Sequence, residues 1–157
     1  MIISFTGTRA GMTPQQLERV KALMTEYKPD SICHGDCVGA DEQFHELAVL
    51  WGIKHVSIRP GHDRRGRTPT RAHCHLSGLT QSLGVECTVY EPAPYLGRDG
   101  IIAGEGDLLI ATPKGYNEEW RGSGTWSTIR QAARHYKPVC IVYPDGSVGG
   151  YVARQEL

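Results

Sequence analysis

The sequence predicts an α/β fold, a three-layer sandwich with helices on both faces of a mainly parallel sheet of about five strands. Short apolar runs alternate with segments whose apolar residues recur at helical spacing, and glycine-bearing turns follow the first two runs. Strands that alternate with helices pair in parallel, which is the Rossmann-like arrangement. The 157 residues contain no linker, internal repeat or low-complexity tract, which predicts one domain over 1–157.

The first strand and helix have clear boundary signals. An apolar run over 2–5 ends in a glycine turn, and Thr13, Pro14 and Gln16 then have the pattern of an N-cap, a first-turn proline and a capping-box residue. Apolar residues continue at helical spacing until a Lys-Pro pair ends the helix before a second strand at 31–34. This order predicts a strand, a helix and a second strand.

The remaining elements repeat this pattern. Further strands are predicted at 55–58, 107–112 and 139–143, and further helices at 40–51 and 126–136. A segment over 61–95, rich in Arg, His and Pro, is irregular, with a possible extra strand at 85–89. The tail after Asp145 predicts a turn and a short terminal extension.

Composition argues against several classes of protein. Lys plus Arg and Asp plus Glu both number 17, so a nucleic-acid partner bound mainly through charge is not expected. No apolar stretch approaches the length of a membrane span, and the N-terminus lacks a basic region followed by a cleavage site, so a cytoplasmic protein without a membrane partner is expected. The five cysteines lack CxxC spacing, which argues against a disulfide framework. No cofactor is predicted.

The candidate ligand site lies in the strand-to-helix turns. In an open parallel sheet, ligands bind outside the carboxyl ends of the strands, where loops meet helix N-termini. The ligand-binding candidates there are Gly7, Thr8, Arg9, His34, Gly35, Asp36, Gly39, Asp41, Arg59, Pro60, Pro113, Gly122, Ser123, Gly124, Thr125 and Trp126, together with Arg98.

The turn that opens the last helix has the composition of a phosphate-binding turn. Gly124 allows close backbone approach to an anion, and the hydroxyls of Ser123 and Thr125 add hydrogen bonds, although Ser123 or Thr125 as a simple N-cap is the alternative. Trp126 stacks a base or packs in a core or interface. The sequence lacks a P-loop and a complete dinucleotide fingerprint, which argues against an ATPase or a dehydrogenase.

Charged residues supply the catalytic candidates. Asp36 and Asp41 flank the second glycine turn and either contact a ribose, act as acid or base, or cap the helix, with capping favoured for Asp41. Arg9 and Arg98 pair with a phosphate or form structural salt bridges. His34 faces the ligand or orders the loop.

A zinc site is not predicted, although Cys33, His34, Cys37 and the 73–75 run supply possible ligand types. Cys33 and His34 are adjacent at a strand end and point to opposite faces, and no CxxC pair is present. The basic run over 62–67 is a solvated loop or a lid over an anionic ligand.

Four motifs in order resemble the SLOG superfamily. They are GTR after the first strand, HGDCVGAD after the second, PYLGRDGII before the fourth, and DLLIATP followed by RGSGTWSTIR. The superfamily includes DprA and lonely-guy-type proteins, and the match over 1–143 is closest to its small stand-alone bacterial and phage branch. The resemblance implies a Rossmann-like fold that binds nucleotides or nucleotide-derived signals, often as a dimer.

Some members of the superfamily are enzymes. Lonely-guy-type phosphoribohydrolases split the N-glycosidic bond of a nucleoside monophosphate with an arginine and the glutamate of a PGGxGTxxE motif. Gly124 and Thr125 match the GT, but the glutamate position falls on Thr128, which cannot act as a carboxylate. Arg98-Asp99 stands where the branch commonly shows Arg-Asn, and this acid would repel a phosphate that it faced.

The sequence therefore supports two functions. The first is binding of a nucleotide or nucleotide-derived molecule by a sensor, carrier or sequestering protein. The alternative is a phosphoribohydrolase-like N-glycoside hydrolase or transferase acting on a nucleoside monophosphate. In it, Asp36 or Asp41 would be the acid or nucleophile and Arg98 would hold the phosphate.

Overall fold

The computed structural model describes residues 1–150. Its strands are β1 (Ile2–Gly7), β2 (Ser31–His34), β3 (His55–Ile58), β4 (Gly61–His62), β5 (Glu86–Val89), β6 (Ala93–Pro94), β7 (Leu108–Thr112), β8 (Val139–Val142) and β9 (Val148–Gly150). Its α-helices are α1 (Pro14–Tyr27), α2 (Ala40–Trp51), α3 (Gly78–Ser82), α4 (Tyr95–Glu105) and α5 (Gly124–Arg134), with a 3₁₀ helix at Cys74–Leu76. None of the helices in these residues has the length and apolar character needed to cross a membrane.

The central sheet has the order β5-β3-β2-β1-β7-β8-β9, and β4 and β6 form a separate two-stranded sheet. All neighbours in the central sheet pair in parallel except β8 and β9, which are antiparallel. The predicted α/β class with a mainly parallel sheet is confirmed. Within residues 1–150 the central sheet has seven strands rather than about five, because the possible strand at 85–89 is real and the tail adds β9 after a turn.

Both faces of the sheet are covered, which confirms the three layers. Leu108 and Ile110 of β7 belong to the core that α1 and α2 cover, whereas Leu109 and Ala111 belong to the core that α4 and α5 cover. Successive residues of a strand point to opposite faces, so a continuous apolar run is the pattern expected of a strand buried on both sides.

The boundary signals of the first two helices are confirmed. Thr13 Oγ1 accepts the N–H of Gln16, and Gln16 Oε1 accepts the N–H of Thr13, both at 3.0 Å. Gly52 ends α2 with a left-handed φ of 107°. These signals act within one helical turn, so the sequence alone is sufficient to identify them.

Helix α4 is the main element missing from the predicted set. It contains Gly97, Gly100 and Gly104, which weaken an isolated helix and resemble loop residues in a sequence. The helix is stabilised by tertiary packing, since Ile102 and Ala103 are buried. Its position matters for the site because it carries the Arg-Asp pair of the third motif to the carboxyl edge of the sheet.

Candidate ligand-binding site

A cavity of about 300 Å³ opens at the carboxyl edge of the sheet, beside the adjacent strands β2, β1 and β7. Its walls come from the turns after β1 and β2, the inner side of α4, and the loop that leads into α5. The predicted ligand-binding residues that line it are Gly7, Thr8, Arg9, Gly35, Asp41, Arg98, Gly122, Ser123, Gly124 and Thr125. The fold thus brings separate stretches of chain to one cavity.

The turn after β1 places an arginine at the cavity. Thr8 donates its N–H to the carbonyl of Thr112 at 3.1 Å and accepts the N–H of Ala40 at 3.0 Å, which anchors the turn to β7 and α2. Gly7 lies so close to Thr112 and Ala40 that a side chain would not fit. Arg9 is exposed and forms no salt bridge within residues 1–150, so its charge is available to a ligand.

The first turn of α2 carries a buried carboxyl group. Asp41 is 5% exposed, and its Oδ2 accepts the N–H of Cys37 at 3.1 Å. Burial raises the pKa of Asp41 to about 7, although that hydrogen bond and the charge of Arg98 lower it. The expectation that Asp41 caps α2 is wrong. Gly39 is the N-cap residue, and its N–H donates to a Glu42 carboxylate oxygen at 3.0 Å.

The first turn of α5 faces the same cavity. Ser123 is the N-cap residue, and its Oγ accepts the N–H of Trp126 at 3.2 Å, which confirms the capping role considered for it. First-turn N–H groups have no acceptor within their own helix. Those of Gly124 and Thr125 are therefore oriented, together with the positive end of the helix dipole, to bind a hydrogen-bond acceptor.

Arg98 and Asp99 form a buried ion pair in the wall supplied by α4. Arg98 Nε lies 3.1 Å from Asp99 Oδ1, and its Nη1 donates to the carbonyl oxygens of Gly35 at 3.1 Å and Arg59 at 3.3 Å. Its Nη2 lies 4.0 Å from the sulfur of Cys37. Arg98 thus orders the turn after β2, and Asp99 offsets its positive charge.

Comparison with solved structures finds a protein with a similar fold. The X-ray structure of DNA processing protein A (DprA) from Streptococcus pneumoniae matches with a TM-score of 0.61 and 21% sequence identity, over 88% of this chain and 49% of that chain. The chain has a DprA-like Rossmannoid fold. It spans about half the length of that DprA chain. No protein-family model and no curated protein matches the sequence.

The DprA-like fold leaves the other predicted ligand-binding residues outside the cavity lining. They are His34, Asp36, Gly39, Arg59, Pro60, Pro113 and Trp126. Trp126 is buried in the core between the sheet and the α4–α5 layer, so its ring packs in the core and does not stack on a base. The carbonyl oxygens of Pro60 and Pro113 accept hydrogen bonds from Ala93 and Gln16 within the protein.

His34 orders the loop rather than facing a ligand. It is fully buried, its Nδ1 accepts the N–H of Asp36 at 2.9 Å, and its Nε2 lies 2.8 Å from Nδ1 of His45. The chain of contacts continues from His45 Nε2 to Thr80 Oγ1 at 2.7 Å. Burial lowers the pKa of His34 to about 3 and that of His45 to about 4, so both rings are neutral at pH 7.

The same hydrogen bonds bear on metal binding. Ligand atoms of His34, His45 and Cys74 lie within 4.8 Å of one another. His34 and Cys74 were among the possible ligand types in the sequence, whereas His45 was not. A backbone N–H only donates, so His34 Nδ1 carries no proton and the neutral ring must carry it on Nε2. That nitrogen then has no lone pair for a metal, and the cluster is a hydrogen-bonded core network in this arrangement.

Asp36 and Arg59 also have structural partners. The carboxylate of Asp36 contacts Arg71 Nε at 3.1 Å and accepts the N–H of Cys74 at 2.8 Å, which ties the turn after β2 to the 61–95 segment. Arg59 Nε lies 2.9 Å from a Glu105 oxygen. Because these charges are already paired, neither residue is retained as a binding or catalytic candidate.

Several lining residues were not among the predicted ligand-binding set. They are Phe5, Thr6, Ala10, Cys37, Asp99, Ile102, Lys114 and Glu119. Lys114 directly follows the Thr-Pro pair at the end of β7, so the rule that ligands bind at strand carboxyl ends would have identified it. Asp99 had no such signal, because its helix was not predicted. The inner side of α4 is defined by tertiary packing, chiefly against α5 and β1.

Proposed function

We propose that the protein binds a nucleotide or nucleotide-derived small molecule in this cavity, as a sensor, carrier or sequestering protein of the SLOG type. The observation that supports this most directly is the exposed guanidinium of Arg9 at a cavity that the open first turn of α5 also lines. A cation and aligned N–H groups are the chemistry that binds phosphorylated and hydroxylated ligands. A volume of about 300 Å³ is at the small end for ligand cavities, which favours one nucleotide over a larger dinucleotide.

Arg9 is the best candidate for the phosphate contact. Arg98 is already bound to Asp99 and two carbonyl oxygens, and Lys114 Nζ lies 3.7 Å from Glu119 Oε1 in a salt bridge. Arg9 also belongs to a turn that is hydrogen-bonded to β7 and α2, so its backbone is well positioned before a ligand binds.

The direct experiment uses one preparation of the purified protein. Mass spectrometry of the denatured sample identifies any small molecule that co-purifies, and calorimetric titration of the ligand-free protein tests ribonucleotides, nucleosides and a short single-stranded DNA. We expect saturable binding of a mononucleotide and no turnover. Failure of every small molecule to bind, or preferential salt-sensitive binding of DNA, would contradict the proposal. Light scattering on the same sample tests the dimer that the SLOG resemblance implies.

Replacing Arg9 with alanine should weaken mononucleotide binding about 10- to 150-fold, because a charge-assisted hydrogen bond contributes about 1.5 to 3 kcal/mol. The matched nucleoside, which lacks the phosphate, should lose much less affinity. Arg134→Ala is the control, since Arg134 is an exposed cation in the last turn of α5. Equal losses for nucleotide and nucleoside, or equal losses in both variants, would remove Arg9 as the phosphate contact.

One observation favours the N-glycoside hydrolase as a second candidate. Asp41 lines the cavity and its pKa, raised to about 7 by burial, lets it hold a proton at neutral pH, as a general acid must. The test incubates nucleoside monophosphates with the protein and measures free base and ribose phosphate. Base release that Asp41→Asn abolishes would establish this activity. Intact nucleotide after prolonged incubation would exclude it and leave the binding proposal in place.

A further inference from the structure

Asp99 places a carboxylate beside the first turn of α5. It lines the cavity and is 4% exposed, and its two carboxylate oxygens lie 3.8 and 4.0 Å from the point where a Cβ on Gly124 would stand. Arg98 Nε donates to one of these oxygens at 3.1 Å. Burial raises the pKa of Asp99, whereas the charge of Arg98 and the neighbouring hydroxyls of Ser127 and Thr128 lower it. The negative charge is therefore held in place next to the Ser123–Thr125 turn.

The charges around Asp99 make this part of the cavity close to neutral. Its partner Arg98 is the nearest cation, and the two charges offset each other. A carboxylate beside a helix N-terminus also interacts favourably with the helix dipole, so it offsets the attraction of that turn for a second anion. Two like charges a few ångströms apart repel, and they repel more strongly beside a protein interior than in bulk water.

The lone pairs of Asp99 favour a hydrogen-bond donor rather than a second anion. A carboxylate has about four acceptor positions, and Arg98, Ser127 and Thr128 together occupy at most three of them, so at least one remains for a ligand. The N–H groups of Gly124 and Thr125 are donors. A hydroxyl group satisfies both sides, because it donates to the carboxylate and accepts from a backbone N–H.

We infer that Asp99 sets the charge selectivity of the cavity, so that the α5 end accepts a hydroxyl-bearing group such as a ribose and rejects a phosphate dianion. The phosphate of a nucleotide then lies at the Arg9 end. This inference rests on the proposed function, because it assigns the two ends of the same cavity. It also makes Asp99 a specificity-determining residue rather than an unfavourable neighbour of the phosphate.

The test measures binding of sulfate, a tetrahedral dianion, to wild-type protein and Asp99→Asn at pH 8. The amide signals of Gly124 and Thr125 in two-dimensional NMR spectra report on the α5 end, with chloride used to keep the ionic strength constant. The amide variant retains the shape and an acceptor for Arg98, and it removes one negative charge. We expect sulfate to bind at least about tenfold more tightly to Asp99→Asn than to wild type. Glu86→Gln, which removes an exposed charge at the amino end of β5, should match wild type.

Equal sulfate affinity in wild type and Asp99→Asn, or no binding to either, would overturn the inference. If Asp99→Asn does not give the wild-type amide spectrum, Asp99→Ser removes the same charge with a smaller side chain and the same expectation applies. The result is separable from the proposed function. If a nucleotide binds wild type and the sulfate affinity is the same in wild type and Asp99→Asn, only the charge selectivity is refuted. If Asp99→Asn gains sulfate affinity but no nucleotide binds, only the proposed nucleotide binding is refuted.

Discussion

Asp41→Asn should raise the free energy of unfolding at pH 8 by about 2 to 4 kcal/mol. Burial raises the pKa of Asp41 to about 7, whereas the same carboxyl in the unfolded chain titrates near 4. Each unit of difference corresponds to about 1.4 kcal/mol. At pH 8 the folded protein holds an ionised carboxylate inside the cavity wall, and the neutral amide removes that cost while its oxygen still accepts the N–H of Cys37.

The sign of the pH dependence follows from proton binding. Between about pH 4 and 7, the folded state retains a proton on Asp41 that the unfolded state has lost, so the free energy of unfolding falls as the pH rises through this range. Below pH 4 both states are protonated, and the variant and wild type should be equally stable. The contribution is therefore present at low pH and lost by about pH 8.

Urea unfolding of wild type and Asp41→Asn at pH 4, 6 and 8 measures this difference. The gap between the two proteins should open as the pH rises. Glu91→Gln, at an exposed carboxylate, is the control and should show a small gap that does not change with pH. If the free energies of unfolding of the two proteins differ by the same amount at all three pH values, the buried charge of Asp41 is not the cause of the difference.

Gly39→Ala should destabilise the protein by about 3 to 5 kcal/mol. Gly39 has a φ of 91°, which an L side chain rarely adopts, and a Cβ at this position would overlap the backbone carbonyl of Arg9. Neither problem can be relieved by a side-chain rotation, because the obstacle is main chain. The two glycine turns would have to separate, and this would also displace Arg9 from the cavity.

Gly97→Ala provides the matched control for the same chemical change. Gly97 lies in α4, where an added Cβ would have no neighbouring atom within 4 Å, and alanine is favoured over glycine in a helix by about 1 kcal/mol. Thermal and urea unfolding should therefore show loss of stability in Gly39→Ala and unchanged or slightly higher stability in Gly97→Ala. Comparable stability of the two variants would show that the turns tolerate a side chain at Gly39.

Local signals in the sequence were sufficient for much of the fold. The N-cap of α1 at Thr13, the glycine that ends α2 at Gly52 and the apolar run of β7 each depend on residues within one turn of helix or one strand. The rule that ligands bind at the carboxyl ends of strands then indicated the turns containing Arg9 and Gly124. These features can be predicted from the sequence because their physical causes lie in neighbouring residues.

Tertiary structure decided the chemistry of the cavity. Arg98 was a candidate for a phosphate contact or for a structural salt bridge, and the structure shows a salt bridge: it pairs with Asp99 and donates to the carbonyl of Gly35, 63 residues away. The proton affinity of Asp41 depends on its burial, and the role of Asp99 depends on a glycine-containing helix that only packing stabilises. Sequence alone indicated several of the turns that reach the edge of the sheet, whereas desolvation and long-range pairing determined which of their charges remain free to meet a ligand.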